Sequence, residues 1–144
     1  MSYTYLASPY SHPDAAVRER RFREAMHCLA WMLKCRIWTY APIVHCHQMA
    51  LDHGLPGDHE FWRDYDRAMI RSAQNFAVLT ASGWRESEGV AEEIEFVEKI
   101  GMSITWLVRR ADDTYVHHRD QNCKHVPDGA SEYFAEPDLL QYKQ

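Results

Sequence analysis

Short apolar runs alternate with amphipathic stretches along the chain, and no other feature restricts its fold as much. The runs "YTYLA" (3–7), "RIWTYAPIV" (36–44), "NFAVLT" (75–80) and "SITWLV" (103–108) are apolar on successive residues. Strands made from them must be covered on both faces. Between the first two, helical spacing places Val17, Phe22, Ala25, Met26, Leu29 and Leu33 on one side of a helix from Asp14 to Lys34. Asp14, after Pro13, suits its N-cap or first turn. A helix over 60–73 turns Phe61, Tyr65, Ala68, Met69 and Ser72 inward. Another over 87–100 buries Val90, Ile94, Val97 and Ile100 and stops at Gly101. The second strand ends at Pro42, and "HCHQMALDHGLPGDHE" (45–60) reads as a turn-rich connection holding no more than a helical turn. The order β-α-β-α-β-α-β predicts an α/β chain, a three-layer Rossmann-like or flavodoxin-like sandwich. Its parallel sheet has about four to five strands, with helices on both faces. At 144 residues the expectation is one domain over 1–144.

Charge narrows the partners. The net charge of −5 argues against a nucleic-acid surface, which needs clustered Lys and Arg. The densest basic run, "VRERRFRE" (17–24), alternates with acids and reads as the solvated side of a helix. No apolar run reaches membrane-spanning length and "MSYTYLASPY" lacks a leader pattern, so a cytoplasmic protein with no membrane partner is expected. Cysteines 28, 35, 46 and 123 form no CxxC pair and read as free thiols, with Cys46 between His45 and His47 the reactive candidate. His45, His47 and His53 offer a His-x-His pair on an extended segment that suits zinc. Histidines lining a pocket rim are the preferred reading, and no resident metal or cofactor is expected. The polar stretch from 109 to 144, with its His117–His118 pair, carries no assignable motif.

In parallel sheets, ligands bind beyond the carboxyl ends of the strands. Three loops fall there: "SPYSHP", the segment after "TYAPIV", and "ASGWRESEG". The last opens into "GWRESEGVAEEIEF" (83–96), which holds five carboxylates. With Val90, Ile94 and Val97 inward, Glu92, Glu95 and Glu98 point to solvent, and Glu86 and Glu88 complement the helix dipole. Glu93 differs. It flanks the buried stripe one turn after Gly89, where an acid needs a partner or a job.

The ordered set "YLASPY", a proline after the second strand, Asp66–Ile70–Ala73, and Ser87–Gly89–Val90–Glu93, with Gly101 before the last strand, resembles the nucleoside 2-deoxyribosyltransferase-like superfamily. It is similar in particular to the 2′-deoxynucleoside 5′-phosphate N-hydrolases and to small, often phage-borne, relatives. The resemblance spans residues 3 to about 107 and implies roles by position. Glu93 is the implied nucleophile, Asp66 the group that contacts the departing base, and Tyr5 the residue that orients Glu93. Ser87, Gly89 and Val90 are implied to hold the 5′ end of the sugar or its phosphate. Tyr3 lies on the same strand face as Tyr5 and competes with it, as Asp64 does with Asp66. The first loop lacks the glycine-rich phosphate turn, so Ser8, Ser11 and His12 are its available donors. Gln74 and Asn75 stand where many relatives carry an aspartate. Stacked subunits are usual in the superfamily, and Trp62 and Trp84, read as exposed, fit a homo-oligomer.

The chemistry explains the residue types. Breaking an N-glycosidic bond builds positive charge at C1′ and negative charge on the base. One carboxylate can meet the first, a protonated partner the second, and two neighbouring carboxyls split in pKa to supply both. Water completes a hydrolase and a second base a transferase. A 5′-monophosphate is favoured by Ser87 and the helix-start amides, with Arg85 and His12 to offset Glu86 and Glu88. A non-catalytic nucleotide sensor and a metal-dependent hydrolase built on the three histidines stand as readings from other classes.

Overall fold

The computed structural model describes residues 2–119 together with Val126, Asp128 and Gly129. Strands β1 (Thr4–Ala7), β2 (Thr39–Tyr40), β3 (Asn75–Leu79), β4 (Ile104–Arg109) and β5 (Tyr115–His118) form one sheet. Its order is β2-β1-β3-β4-β5. The first four are parallel, and β5 pairs antiparallel with β4. The helices are α1 (Ala15–Lys34), α2 (Pro42–His53), α3 (His59–Ser72) and α4 (Glu88–Lys99).

Strand alternation divides the core between the two faces. Tyr5, Ala7, Phe76, Val78, Trp106 and Val108 pack with α3 and α4 residues such as Ile70, Val90 and Val97. Leu6, Ala77, Leu79 and Leu107 pack with Cys28 and Met32 of α1. The sheet is therefore sandwiched, as the apolar strands require. Because β1 lies between β2 and β3, the chain leaves β1 and β3 in opposite directions. A crevice opens between their following loops.

Local signals fix the helix ends. Asp14, Asp58 and Ser87 each accept a backbone N–H as N-caps of α1, α3 and α4. Gly101 ends α4 at φ +75°, while Gly101 N–H and Met102 N–H reach back to the Glu98 and Val97 carbonyls. That is a Schellman closure.

Several expectations are corrected. The segment 36–44 is not one strand: β2 is two residues long and Pro42 opens α2. Proline is well suited to that first helical position, where its missing N–H costs nothing. The turn-rich connection is thus mostly helix, closed by Gly54 at φ +65°. Helix α1 is rotated from its expected face, burying Glu24, Ala25, Cys28 and Met32 while Leu33 is exposed. Helix α3 is rotated likewise, with Ile70 and Met69 against the core and Phe61, Tyr65, Ala68 and Ser72 exposed. Ile100, expected inward, is exposed. Trp84 is buried against Trp106, its indole N–H donating to Asp128, so it is no exposed interface aromatic. Trp62 is partly buried, its indole bonded to the Pro56 carbonyl. Cys28, Cys35 and Cys46 are free thiols; Cys123 lies outside the described residues. Among the described residues, no helix is long and apolar enough to cross a membrane.

Candidate active site

Tyr5 stands on the β1 face that α3 and α4 cover, its ring stacked on Phe76 at 5.7 Å. Its hydroxyl donates to Glu93 Oε1 at 2.9 Å. The competing Tyr3 is engaged elsewhere, donating to the Met69 carbonyl. Asp66 of α3 and Glu93 of α4 both line a cavity of about 330 Å³, in the range of small-molecule sites. Asp64, Asp66's competitor, is exposed. The cavity opens beyond β1 and β3, and Ser8, His12, Ser87 and Gly89 also border it.

Both carboxyls of the pair are raised above their ordinary values. Burial, then the charge of Asp66, pushes Glu93 up to about 8, against the opposing Tyr5 hydrogen bond. Burial raises Asp66 to about 6, again opposed by Tyr5. Burial first, then the two carboxylates, raises Tyr5 well above the usual phenol range, so it stays a donor. Asp66 Oδ1 and Ser8 Oγ are buried with no hydrogen-bond partner among the described residues. Orphaned groups on a cavity wall are what a bound ligand satisfies.

Around the rim, Ser87 Oγ accepts from the Val90 N–H at 3.2 Å, which leaves its own hydrogen to donate. Gly89 lies so close to α3 that a Cβ there would meet His59 Cβ at 3.2 Å. Exposed His12 accepts the Asp14 N–H on Nδ1, so its Nε2 carries the hydrogen. Val90, expected at the site, is corrected: it is buried in the core and its N–H is consumed by the cap.

Arg85 is corrected too. It lies over Trp84, pairs with Asp128 and bonds the Val126 carbonyl, away from the cavity. The cation that does line the cavity is Arg21, unforeseen in "VRERRFRE". Its guanidinium donates to the Ser11 carbonyl at 2.7 Å and crosses Gly83 so closely that a Cβ there would lie 2.2 Å from Nη2. Gly83 also holds φ +89°, a conformation that favours glycine. The same run places Glu19 against His47 and buries Glu24, so it is not a solvated face. Only the helix's true rotation, invisible in composition, reveals this.

The histidine cluster does not form. On helical α2, His45 and His53 are exposed while His47 is buried between Tyr10 and Glu19. Residues two apart on a helix point to different sides. Among the described residues, no group of three or more His, Cys, Asp or Glu is arranged to hold a metal. Burial raises the Cys46 thiol, which opposes a reactive role.

Sheet order, crevice and carboxyl pair define an α/β protein with an acid-lined cleft at its topological switch point. Within that class, residues 2–108 match the model of a family described as a domain of unknown function (DUF1937), and the chain belongs to that family. No curated protein matches the chain.

Proposed function

We propose that the protein cleaves the N-glycosidic bond of a (deoxy)nucleoside 5′-monophosphate and releases the free base, as its resemblance to the deoxyribosyltransferase-like superfamily implies. The observation that carries this reading is the Tyr5 hydroxyl on Glu93 Oε1, with Asp66 on the same cavity wall. Glu93 attacks C1′ as the C1′–N bond breaks and its electrons pass to the base, which is protonated from Asp66. Water then releases the sugar from Glu93. Burial raises both carboxyls, so the pair keeps a proton in the resting protein. Positive charge growing at C1′ favours the Glu93 anion and leaves that proton on Asp66. Ser87, the Gly89 amide and the Arg21 guanidinium suit a phosphate at the cavity rim.

Free base is assayed by chromatography after incubation with deoxy- and ribonucleoside monophosphates, comparing wild type with Glu93→Gln. Release by the wild type and none by the variant is expected. Full activity in Glu93→Gln removes the nucleophile from the mechanism. A second free base in the same assay separates hydrolysis from deoxyribosyl transfer, because transfer yields a new nucleotide. Ligand-induced stabilisation without base release would instead identify a sensor.

The free thiols agree with a cytoplasmic setting. Exposed Trp38, Phe61 and Tyr65 are aromatics available to a homo-oligomer, which sedimentation measures directly.

A further inference from the structure

Glu19, His47 and Tyr10 form a chain of contacts that the proposed chemistry does not use. His47 is only 4% exposed. Its Nε2 lies 2.9 Å from Glu19 Oε2, and its Nδ1 2.6 Å from the Tyr10 hydroxyl. The imidazole is stacked on Phe22 at 4.3 Å and meets the Tyr10 ring edge-on at 5.4 Å, so its orientation is fixed. Arg23 holds Glu19 from the other side at 3.1 Å. Tyr10 and His47 both line the cavity.

The direction of each bond follows from Glu19. Burial pushes its carboxyl up, but the hydrogen bonds from His47 and Arg23 outweigh burial and the net shift is downward. Glu19 is therefore an anion, and an ionised carboxylate can only accept. Nε2 of His47 must carry the hydrogen. In a neutral imidazole Nδ1 is then bare and accepts, and the group within reach is the Tyr10 phenol. The single hydroxyl proton of Tyr10 is committed to His47. Its oxygen keeps acceptor capacity alone.

We infer that the Glu19–His47 pair fixes Tyr10 as a hydrogen-bond acceptor on the cavity wall, so that the site selects a substrate bringing an O–H or N–H donor to that point. This rests on the nucleotide reading above, in which the donor is a sugar hydroxyl or an exocyclic amine of the base. A site whose acceptor has no proton to offer rejects an analogue lacking the donor, because an acceptor covered by the bound ligand is then left unsatisfied.

The test measures binding to the full chain carrying Glu93→Gln, so that no ligand is consumed. Calorimetry compares a 2′-deoxynucleoside 5′-monophosphate with its 2′,3′-dideoxy analogue, and adenine with unsubstituted purine as the base. Loss of one of these donors is expected to weaken binding about tenfold. Tyr10→Phe, which keeps the ring packing, is expected to weaken the parent ligand by the same factor and to abolish the difference. Glu19→Gln, which can accept or donate, should shrink that difference while Tyr10 remains. In the free protein, nitrogen NMR of His47 should show Nε2 protonated and Nδ1 bare. A protonated Nδ1, whether Nε2 is bare or protonated as well, overturns the inference, as does equal weakening of every ligand by Tyr10→Phe. If no nucleotide binds at all, the proposed function fails and the substrate assignment of Tyr10 fails with it. The tautomer then still decides whether Tyr10 is an acceptor.

Discussion

Glu93 and Asp66 behave as a pair because they line one cavity and the charge of Asp66 raises the cost of ionising Glu93. Below about 6 both carboxyls are protonated and no nucleophile exists; above about 8 both are ionised and no acid remains. The expected pH–rate profile for base release is a bell between those limits. Asp66→Asn removes the acid and the charge that helps raise Glu93. Its rate should fall about a hundredfold, and the bell should become a single rise with pH, set by Glu93 and lying below about 8. A rise that stays at about 8, read from kcat against pH, would show that the carboxyls do not interact. Ser87 combines two tasks in one hydroxyl. Ser87→Ala should cost about 1 kcal/mol of stability through the lost cap and weaken the monophosphate more than the free nucleoside. Calorimetry and thermal melts read the two effects separately. Glu93 and Ser87 stood out as a stripe-flanking acid and a helix start, while Tyr5 and Asp66 were singled out by the resemblance alone. Arg21 and Glu19 were not, because nothing local marks which way a charged helix residue faces, and Tyr10, in the first loop, carried no signal of its own.

Two glycines at the borders of elements make contrasting predictions. Gly101 closes α4 at φ +75° in open space, with no atom within 4 Å of a Cβ position. Gly101→Ala should therefore cost only backbone strain, about 1 kcal/mol, and leave ligand affinity alone. Gly83 adds the Arg21 guanidinium at 2.2 Å to a similar conformation. Gly83→Ala should lose stability and also displace Arg21, weakening monophosphate binding. Equal affinities in the two variants would detach Arg21 from the phosphate. Helix α4 was legible because Ser87, the apolar stripe and Gly101 agree on start, face and stop. Helix α2 was not, since Pro42 ends a strand or begins a helix with equal ease and only the packing of Cys46 and His47 decides. The faces of α1 and α3 slipped by about one residue, some 100° of rotation. Both helices carry aromatic and aliphatic side chains on more than one side, so periodicity alone leaves the buried side ambiguous.

Among the described residues, three buried or half-buried carboxyls have raised pKa values: Asp66 to about 6, Glu24 to about 7 and Glu93 to about 8. Burial is the leading cause in each. Burial lowers His27 and His117, which works the other way, but at these three carboxyls the folded state holds more protons than the unfolded chain above about pH 4, where free carboxyls ionise. The contribution of the carboxyls to stability is fully present below that point and is lost as pH rises through 6 to 8. Relative to the wild type, Glu24→Gln with Glu93→Gln should gain melting temperature as pH rises from 5 to 8.5. A difference that does not change over that interval contradicts the burial of these groups. By itself the sequence determined the layered α/β architecture, the capped starts of α1 and α4 and the acid that heads the candidate site. Those features are set by neighbours within a turn or by the period of apolar residues. Only the tertiary structure decided which helix face is inward, that His47 joins Tyr10 and Glu19 rather than a metal, and that Arg21 meets Gly83. Each of these joins residues from elements far apart in the chain, and their distance depends on how the helices settle on the sheet.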